Sequence, residues 1–439
     1  MNRGLKKKMA FLVAVMLVLL SVPALAANSS GYRQDAPYII EPPVIPNAPT
    51  VQHDITTFLF LGVDHFVANY SGGMSKLDWE SNHTDSIMLI AVDQTDHKVS
   101  LISFPRDTYT YAVGVQGVHK LNSVFNCAEG VEAGIQRTYD TITFLMGGIR
   151  PDHYMLVTPD FVRSVGDAMG GVDFDLEMSY KGSSGISYTK GSQHLNGQGI
   201  FDYARARTNA TINADDYGRT QRQRKIMTAL IQKLMQEPQL TNQILDVITS
   251  AYGTDFYTDM SLADMTALVP VLDAFQNGSV ANYAMTGRLE MAMKFWHFSF
   301  LDQNLRKEII QTVYGVKVEK LPYYTQGYAN WLYTTGFEAV RVLHISEDAV
   351  QHAEQDGKAS KQVAAVRAAQ DELKKAFGEI GDDLNKSKIN LMTKKQNALK
   401  TAVKALKDAT GYPAKLSWKA TLNWYQDPLI NEYNEIDWR

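Results

Sequence analysis

Three short apolar runs lie between residues 55 and 108, each bounded by acidic or turn-forming residues: ITTFLFLGVD (55–64), DSIMLIAVD (85–93) and KVSLISFPRDT (98–108). Their length and their β-branched and aromatic content predict buried strands. The first delivers Asp64 at its C-terminal end, the second begins with Asp85, and the third runs into Pro105, Arg106 and Asp107. QTDH (94–97) offers a turn between the last two, so a hairpin would let Asp85 and Arg106 meet.

Beyond this region, strand-like and helical patterns alternate. CAEGVEAGIQRTYDTITFLMG (127–147) has helical spacing, HYMLVT and VDFDLEM have strand patterns, and GSQHLNGQGIFDYARAR (191–207) predicts a turn and a short helix presenting arginines. The expected fold class is α/β, a mixed central sheet flanked by helices as a sandwich, occupying residues 53–235. Residues 236–340 continue it with a mixed, rather helical pattern and an aromatic group at Phe295, Trp296, Phe298 and Phe300, for which core packing is the safer assignment over stacking on sugars. A mostly helical C-terminal extension follows. In residues 345–410 Val363, Val366, Leu373, Phe377, Ile380 and Leu384, then Leu399, Val403 and Leu406, recur at threes and fours. That pattern predicts two amphipathic helices broken near residues 381–388, a helical hairpin. The tail, 411–439, is aromatic, with Trp418, Trp424, Tyr425 and Trp438.

Charge adds chemistry to this frame. The chain of 439 residues has a formal charge of −4, yet residues 205–224 hold five arginines and the adjacent Asp215 and Asp216. Arg205 and Arg207 share a face if their segment is extended, whereas Arg219, Arg222 and Gln223 share a helix face. Guanidinium groups bind paired oxygens and suit phosphate. A solvated charged helix face is the alternative for such a run taken alone. Asp64, Asp85 and Arg106 supply a second cluster, and two carboxylates with arginines suit a divalent metal bound to a phosphorylated ligand.

Seven blocks in order then resemble the LytR-CpsA-Psr family of bacterial cell-envelope phosphotransferases. They are FLFLGVD (58–64), TDSIMLIAVD (84–93), SFPRDTY (103–109), HKLNSVF (119–125), DHYMLVTPDFVRSVGDAMGGVDFDL (152–176), GSQHLNGQGIFDYARAR (191–207) and DYGRTQRQRKI (216–226), within residues 51–235. The resemblance implies transfer of a polyprenyl-diphosphate-linked glycopolymer, such as teichoic acid or capsule, to a hydroxyl of peptidoglycan. It implies that Asp64 and Asp85 hold a magnesium ion (Mg2+) against the diphosphate. It also implies that Arg106, Arg205, Arg207, Arg219 and Gln223 grip the diphosphate oxygens, with Asp216 supporting the arginines. Asp85 and Asp107 are the candidates for a general base. Two histidines depart from the family pattern: His65 and His83 stand where relatives commonly have arginines, as either a pH-dependent grip or a neutral variation at the pocket rim. The alternatives to transfer are hydrolysis of a polyprenyl or other diphosphate, and a non-catalytic lipid-glycan binding or scaffolding protein. The C-terminal hairpin fits a spacer, a wall-binding module or a dimerisation element equally.

The N-terminus points outside the cell. Arg3 and three lysines precede an apolar run from Met9 to Leu20 and the small residues Ala24 to Ala26, a secretory signal over residues 1–26 cleaved after Ala26 or an uncleaved membrane anchor. Either leaves the remainder extracytoplasmic, in the envelope and near the membrane surface. Residues 27–52 form a proline-rich linker. Removing residues 1–26 takes away four basic residues and no acids, moving the charge from −4 to −8. An anion site is therefore a local concentration of positive charge, which argues against a nucleic-acid partner. Cys127, the only cysteine, is expected to be a small buried residue. Leu145, Met146, Met155, Leu156, Phe161, Val165 and Met169 are candidates for a lipid channel, although ordinary core is the better reading of their spacing.

Overall fold

The computed structural model describes residues 45–51, 54–63, 82–96, 98–113, 118–127, 130–182, 184–206, 222, 225–226, 229–230, 232–261, 280–292, 296–319, 321, 324–331, 336–379 and 385–411. The signal, most of the linker and the aromatic tail lie outside these residues. Among the described residues, no helix is long and apolar enough to cross a membrane.

The three apolar runs are strands β1 (Ile55–Val63), β2 (Thr84–Asp93) and β3 (Lys98–Phe104). They pair antiparallel in the order β1-β2-β3 at the centre of a six-stranded sheet. β6 (His153–Val157) runs parallel to β1, and β11 (Phe256–Thr258) closes that edge antiparallel to β6. On the other edge β12 (Val280–Ala284) lies parallel to β3. The sheet is mixed, as expected, and two of its six strands come from beyond residue 235, in the region expected to continue the α/β unit. Short edge strands carry little periodic signal, which is why they were not legible.

Side-chain alternation sends successive residues of the central strands into different cores. Phe58, Phe60, Ile90, Val92, Val99 and Leu101 enter one core. It is completed by α2 (Pro159–Ala168), α3 (Gly197–Arg205) and α4 (Leu240–Ala251). Leu59, Leu61, Val63, Ile87, Leu89, Ile102 and Phe104 enter the other, with α1 (Val131–Leu145) and α5 (Gln303–Tyr314). The runs look continuously apolar because both faces of the sheet are covered. Gly134 in α1 lets the helix approach its neighbour: a Cβ there would stand 2.7 Å from the Phe125 carbonyl oxygen.

A third core joins the C-terminal region to this sandwich. The hairpin expected in residues 345–410 is present as α8 (Ser360–Gly378) and α9 (Lys386–Thr410), and after the short α6 (Gln326–Trp331) a further helix, α7 (Phe337–Gln355), joins it to make a bundle of three. Leu343, Val350, Leu373, Phe377, Met392, Leu399 and Leu406 pack there with Tyr109, Tyr111, Phe298 and Phe300. The first helix of the bundle lies outside the expected hairpin because its stripe ends at the turn around Gly357, whose φ of 63° is the left-handed conformation of a helix end. Phe298 is wholly buried and Phe300 nearly so, so these two are core as expected. Phe295 and the Trp296 side chain lie outside the described residues.

Candidate functional site

The hairpin of β2 and β3 builds the centre of the site. Asp93 pairs with Lys98 at the turn, where Asp93 Oδ1 accepts hydrogen bonds from the backbone N–H of Thr95 and of Asp96, each 2.9 Å. At the open end the last pair is Ile87 with Phe104. Asp85 and Arg106 each stand two residues past that pair, and period-two alternation turns them the same way. Arg106 Nη1 donates to Asp85 Oδ2 at 2.7 Å, and Asn122 Nδ2 donates to Asp85 Oδ1 at 3.1 Å. The Asp85 side chain is 0% exposed and that of Arg106 19%. A carboxylate so buried requires this pairing, because an unpaired buried charge is costly.

The same array continues outward. Asp107 Oδ1 accepts from Lys120 Nζ at 2.8 Å, and Asp107 Oδ2 lies 3.6 Å from Arg106 Nε. β4 (Tyr109–Tyr111) and β5 (Val118–Lys120) pair Tyr109 with Lys120, which brings the lysine back to this corner. The Asn122 backbone N–H donates to the Arg106 carbonyl at 3.0 Å, and that of Leu121 to the Thr108 carbonyl at 2.9 Å. Lys120 and Asn122 are therefore members of the site that the sequence reading did not name, although both sit in the HKLNSVF block. Charge alternates from Lys120 to Asp107, Arg106 and Asp85.

The arginine segment is described in part. Asn196 caps α3 by accepting from the Gly199 N–H at 2.9 Å, and the helix ends at Arg205. The guanidinium carbons of Arg205 and Arg163 lie 5.0 Å and 4.9 Å from the centroid of the same Phe201 ring. Asp202, fully buried on α3, accepts from the Ser184 N–H at 3.2 Å and from the Tyr188 hydroxyl at 3.1 Å. Burial, then the Asp202 charge, pushes the Tyr188 phenol up to about 12, so it stays a donor at neutral pH. After α3 the backbone turns extended at Ala206, whose carbonyl accepts from the nearly buried Arg222 Nη2. Arg222, expected to share a helix face with Arg219 and Gln223, thus braces the chain at Ala206.

Asp85, Arg106 and Asp107 are brought together as expected, and Arg205 stands at the end of α3. Asp64, His65, Arg207, Asp216, Arg219 and Gln223 lie outside the described residues, as does the Cys127 side chain. β1 ends at Val63, paired with Thr84 beside Asp85. His83 is 6% exposed, a buried position and not a rim. The seven candidates for a lipid channel do not share one wall: Met155, Phe161, Val165 and Met169 belong to one core and Leu145, Met146 and Leu156 to the other.

Among the described residues, no three His, Cys, Asp or Glu side chains form a metal-holding group. The oxygen donors at Asp85 nevertheless fit magnesium. The ion commonly takes one or two carboxylates plus substrate phosphates and keeps several waters, so a protein cage of three acids is not required. Asn122 Oδ1, buried beside Asp85 with no hydrogen-bond partner among the described residues, adds a neutral oxygen.

Comparison with known proteins gives this arrangement a family. The LytR_cpsA_psr family model matches residues 27–319, more than half of the chain. The chain belongs to the LytR-CpsA-Psr family. Among its relatives is the Bacillus subtilis polyisoprenyl-teichoic acid–peptidoglycan teichoic acid transferase TagV, 25% identical over 240 residues, 53% of this chain and 56% of TagV. The TagU transferase of Halalkalibacterium halodurans is 29% identical over 199 residues, 45% of this chain and 62% of its own. Regulatory protein MsrR of Staphylococcus aureus is 30% identical over 191 residues, 43% of this chain and 52% of MsrR. This LytR-CpsA-Psr chain thus spans about half to three fifths of the length of these relatives. Protein gbs0355 of Streptococcus agalactiae shares the fold, with a TM-score of 0.50 at 18% identity over 61% of this chain and 91% of its own.

Proposed function

We propose that this protein transfers an anionic glycopolymer of the teichoic acid or capsule type from a polyprenyl diphosphate to a hydroxyl of peptidoglycan, with magnesium assistance, at the outer side of the membrane. The observation that carries the reading is the buried Asp85, held by Arg106 and Asn122, beside the more accessible Asp107. Family membership and relatives named as transferases to peptidoglycan support it.

Phosphoryl transfer needs reactants placed in line and charge neutralised on non-bridging oxygens. Asp85 orients Arg106 through one of the five N–H donors of a guanidinium, aiming the rigid fork that suits a diphosphate. Arg205, at the end of α3, and the arginines that follow it in sequence would supply further grip on the diphosphate oxygens. Asp64 and Asp85 would hold magnesium, which would further neutralise the diphosphate charge.

The two candidates for general base differ in access. Both Asp85 oxygens accept hydrogen bonds and its side chain is 0% exposed, whereas that of Asp107 is 29% exposed. Asp107 is the group a sugar hydroxyl can reach, and it takes the proton as that oxygen attacks the glycan-linked phosphorus. The phosphoanhydride bond breaks, and polyprenyl phosphate leaves with the electron pair.

The test is incubation of purified protein with a polyprenyl-diphosphate glycan, magnesium and peptidoglycan fragments. Polymer attached to the fragment is expected. Diphosphate cleavage without attachment would make the protein a hydrolase, and binding with neither would make it a scaffold.

A further inference from the structure

We propose that the outer face of α9 is a docking surface for a linear phosphate-bearing polyanion, the polymer end of the substrate. The polymer's identity rests on the transferase reading above; the surface itself rests on charge. The helix Lys386–Thr410 carries seven lysines and a single acid, Asp408, in a chain whose overall charge is negative. Met392, Gln396, Leu399, Val403 and Leu406 form its buried seam. At 100° per residue, Lys386, Lys400, Lys404 and Lys407 fall within an arc of about 60° beside that seam, along roughly 32 Å of helix. Lys394 lies farther round, on the exposed side.

A solvated helix face is the ordinary explanation of surface lysines, and α8 shows what one looks like here. It mixes Lys361, Arg367, Lys374 and Lys375 with Asp371 and Glu372. In α9 the one acid, Asp408, stands at the C-terminal end against seven lysines. Lys404 and Lys407 are like-charge neighbours three residues apart, an arrangement that disfavours the helix unless something neutralises it.

The neighbouring helices provide little of that neutralisation. Lys395 pairs with Glu372, and Glu347 and Glu354 of α7 are taken by Arg367. Among the described residues, Lys386, Lys394, Lys404 and Lys407 form no ion pair. An extended polyanion matches a single-sign stripe of this length. A lipid surface matches it less well, since a helix lying on a membrane presents an apolar face beside its lysines. The apolar seam of α9 is buried in the bundle, and Leu391 is its only large hydrophobic residue reaching 39% exposure.

The experiment uses the full chain and a variant with Lys386→Gln, Lys394→Gln, Lys404→Gln and Lys407→Gln together. Long-chain polyphosphate is the probe, measured across a salt series beside vesicles of phosphatidylcholine with phosphatidylglycerol. The unaltered chain is expected to bind polyphosphate in a salt-dependent way. The variant is expected to bind at least ~10-fold more weakly, with a logarithmic salt slope shallower by about 3. The four Lys→Arg replacements, which keep charge, are expected to retain binding and so to separate charge loss from damage to the bundle. Equal polyphosphate binding by the Gln variant overturns the proposal. So does lysine-dependent binding confined to vesicles, which would make this a lipid-facing surface. Loss of polyphosphate binding in a protein that never transfers polymer would leave the surface standing and remove the transferase reading.

Discussion

Arg106 Nη1 lies 2.7 Å from the fully buried Asp85 Oδ2, and both residues stand two positions past the last pair of one hairpin. This contact is structural, and on the transferase reading it also orients Arg106. Arg106→Ala leaves the buried Asp85 carboxylate with Asn122 as its remaining described hydrogen-bond partner. Removing one member of a buried ion pair costs roughly 3–5 kcal/mol, and the partial exposure of Arg106 puts the expected loss at about 2–3 kcal/mol. Turnover is expected to vanish as well. Adding Asp85→Asn should restore most of the stability and none of the activity, which chemical denaturation and the transfer assay would measure together. Unchanged stability in the single variant would show that the pair does not hold the hairpin end.

Asp107→Asn separates chemistry from binding. The amide keeps the shape and cannot take a proton, so kcat is expected to fall about 10²- to 10⁴-fold, with affinity for the diphosphate lipid nearly unchanged. Near-normal kcat would return the base role to another group. A parallel loss of affinity would instead assign Asp107 to holding Lys120 and Arg106.

Much of this was legible in the chain because the information is local. Strands β1 to β3 have continuous apolar sequence, the turn between β2 and β3 is short and polar, and hairpin geometry alone brings Asp85 to Arg106. Lys120 and Asn122 were not legible as site members, since their approach depends on β4 pairing with β5 and on a backbone contact between Asn122 and Arg106. Edge strands β11 and β12 are defined by partners more than a hundred residues away. The same limit hid the use of Tyr109, Tyr111, Phe298 and Phe300: each looks like ordinary core, and only the tertiary structure reveals that they join the sandwich to the helical bundle.

Asn122→Ala tests whether holding Asp85 from behind matters. The variant removes the 3.1 Å hydrogen bond to Asp85 Oδ1 and the neighbouring buried carbonyl oxygen. Loss of such a supporting contact typically costs about 10- to 100-fold in metal affinity or activity. The expected result is a drop of that size in turnover, with a higher magnesium concentration needed for half-maximal rate. An unchanged magnesium requirement would remove Asn122 from the metal's surroundings.

Glu347 gives the bundle a pH dependence with a definite sign. Burial alone would raise its pKa, but hydrogen bonding and charge from Arg367, with hydrogen bonds from Gln351 and Gln370, outweigh that and hold the carboxyl below its ordinary 4.5. A carboxyl depressed in the folded state contributes stability above its unfolded pKa and loses it as pH falls through the folded value. The Arg367 pair links α7 to α8, so acid is expected to loosen their contact below about pH 4. Glu347→Gln should flatten this part of the acid limb and leave the neutral limb shifted downward by a small amount, because the pair is partly exposed. Hydrogen exchange of α7 and α8 amides between about pH 5 and pH 3, after correction for the intrinsic rates, is the direct measurement. If parent and variant keep a constant difference across that range, the ion pair is not what the acid breaks.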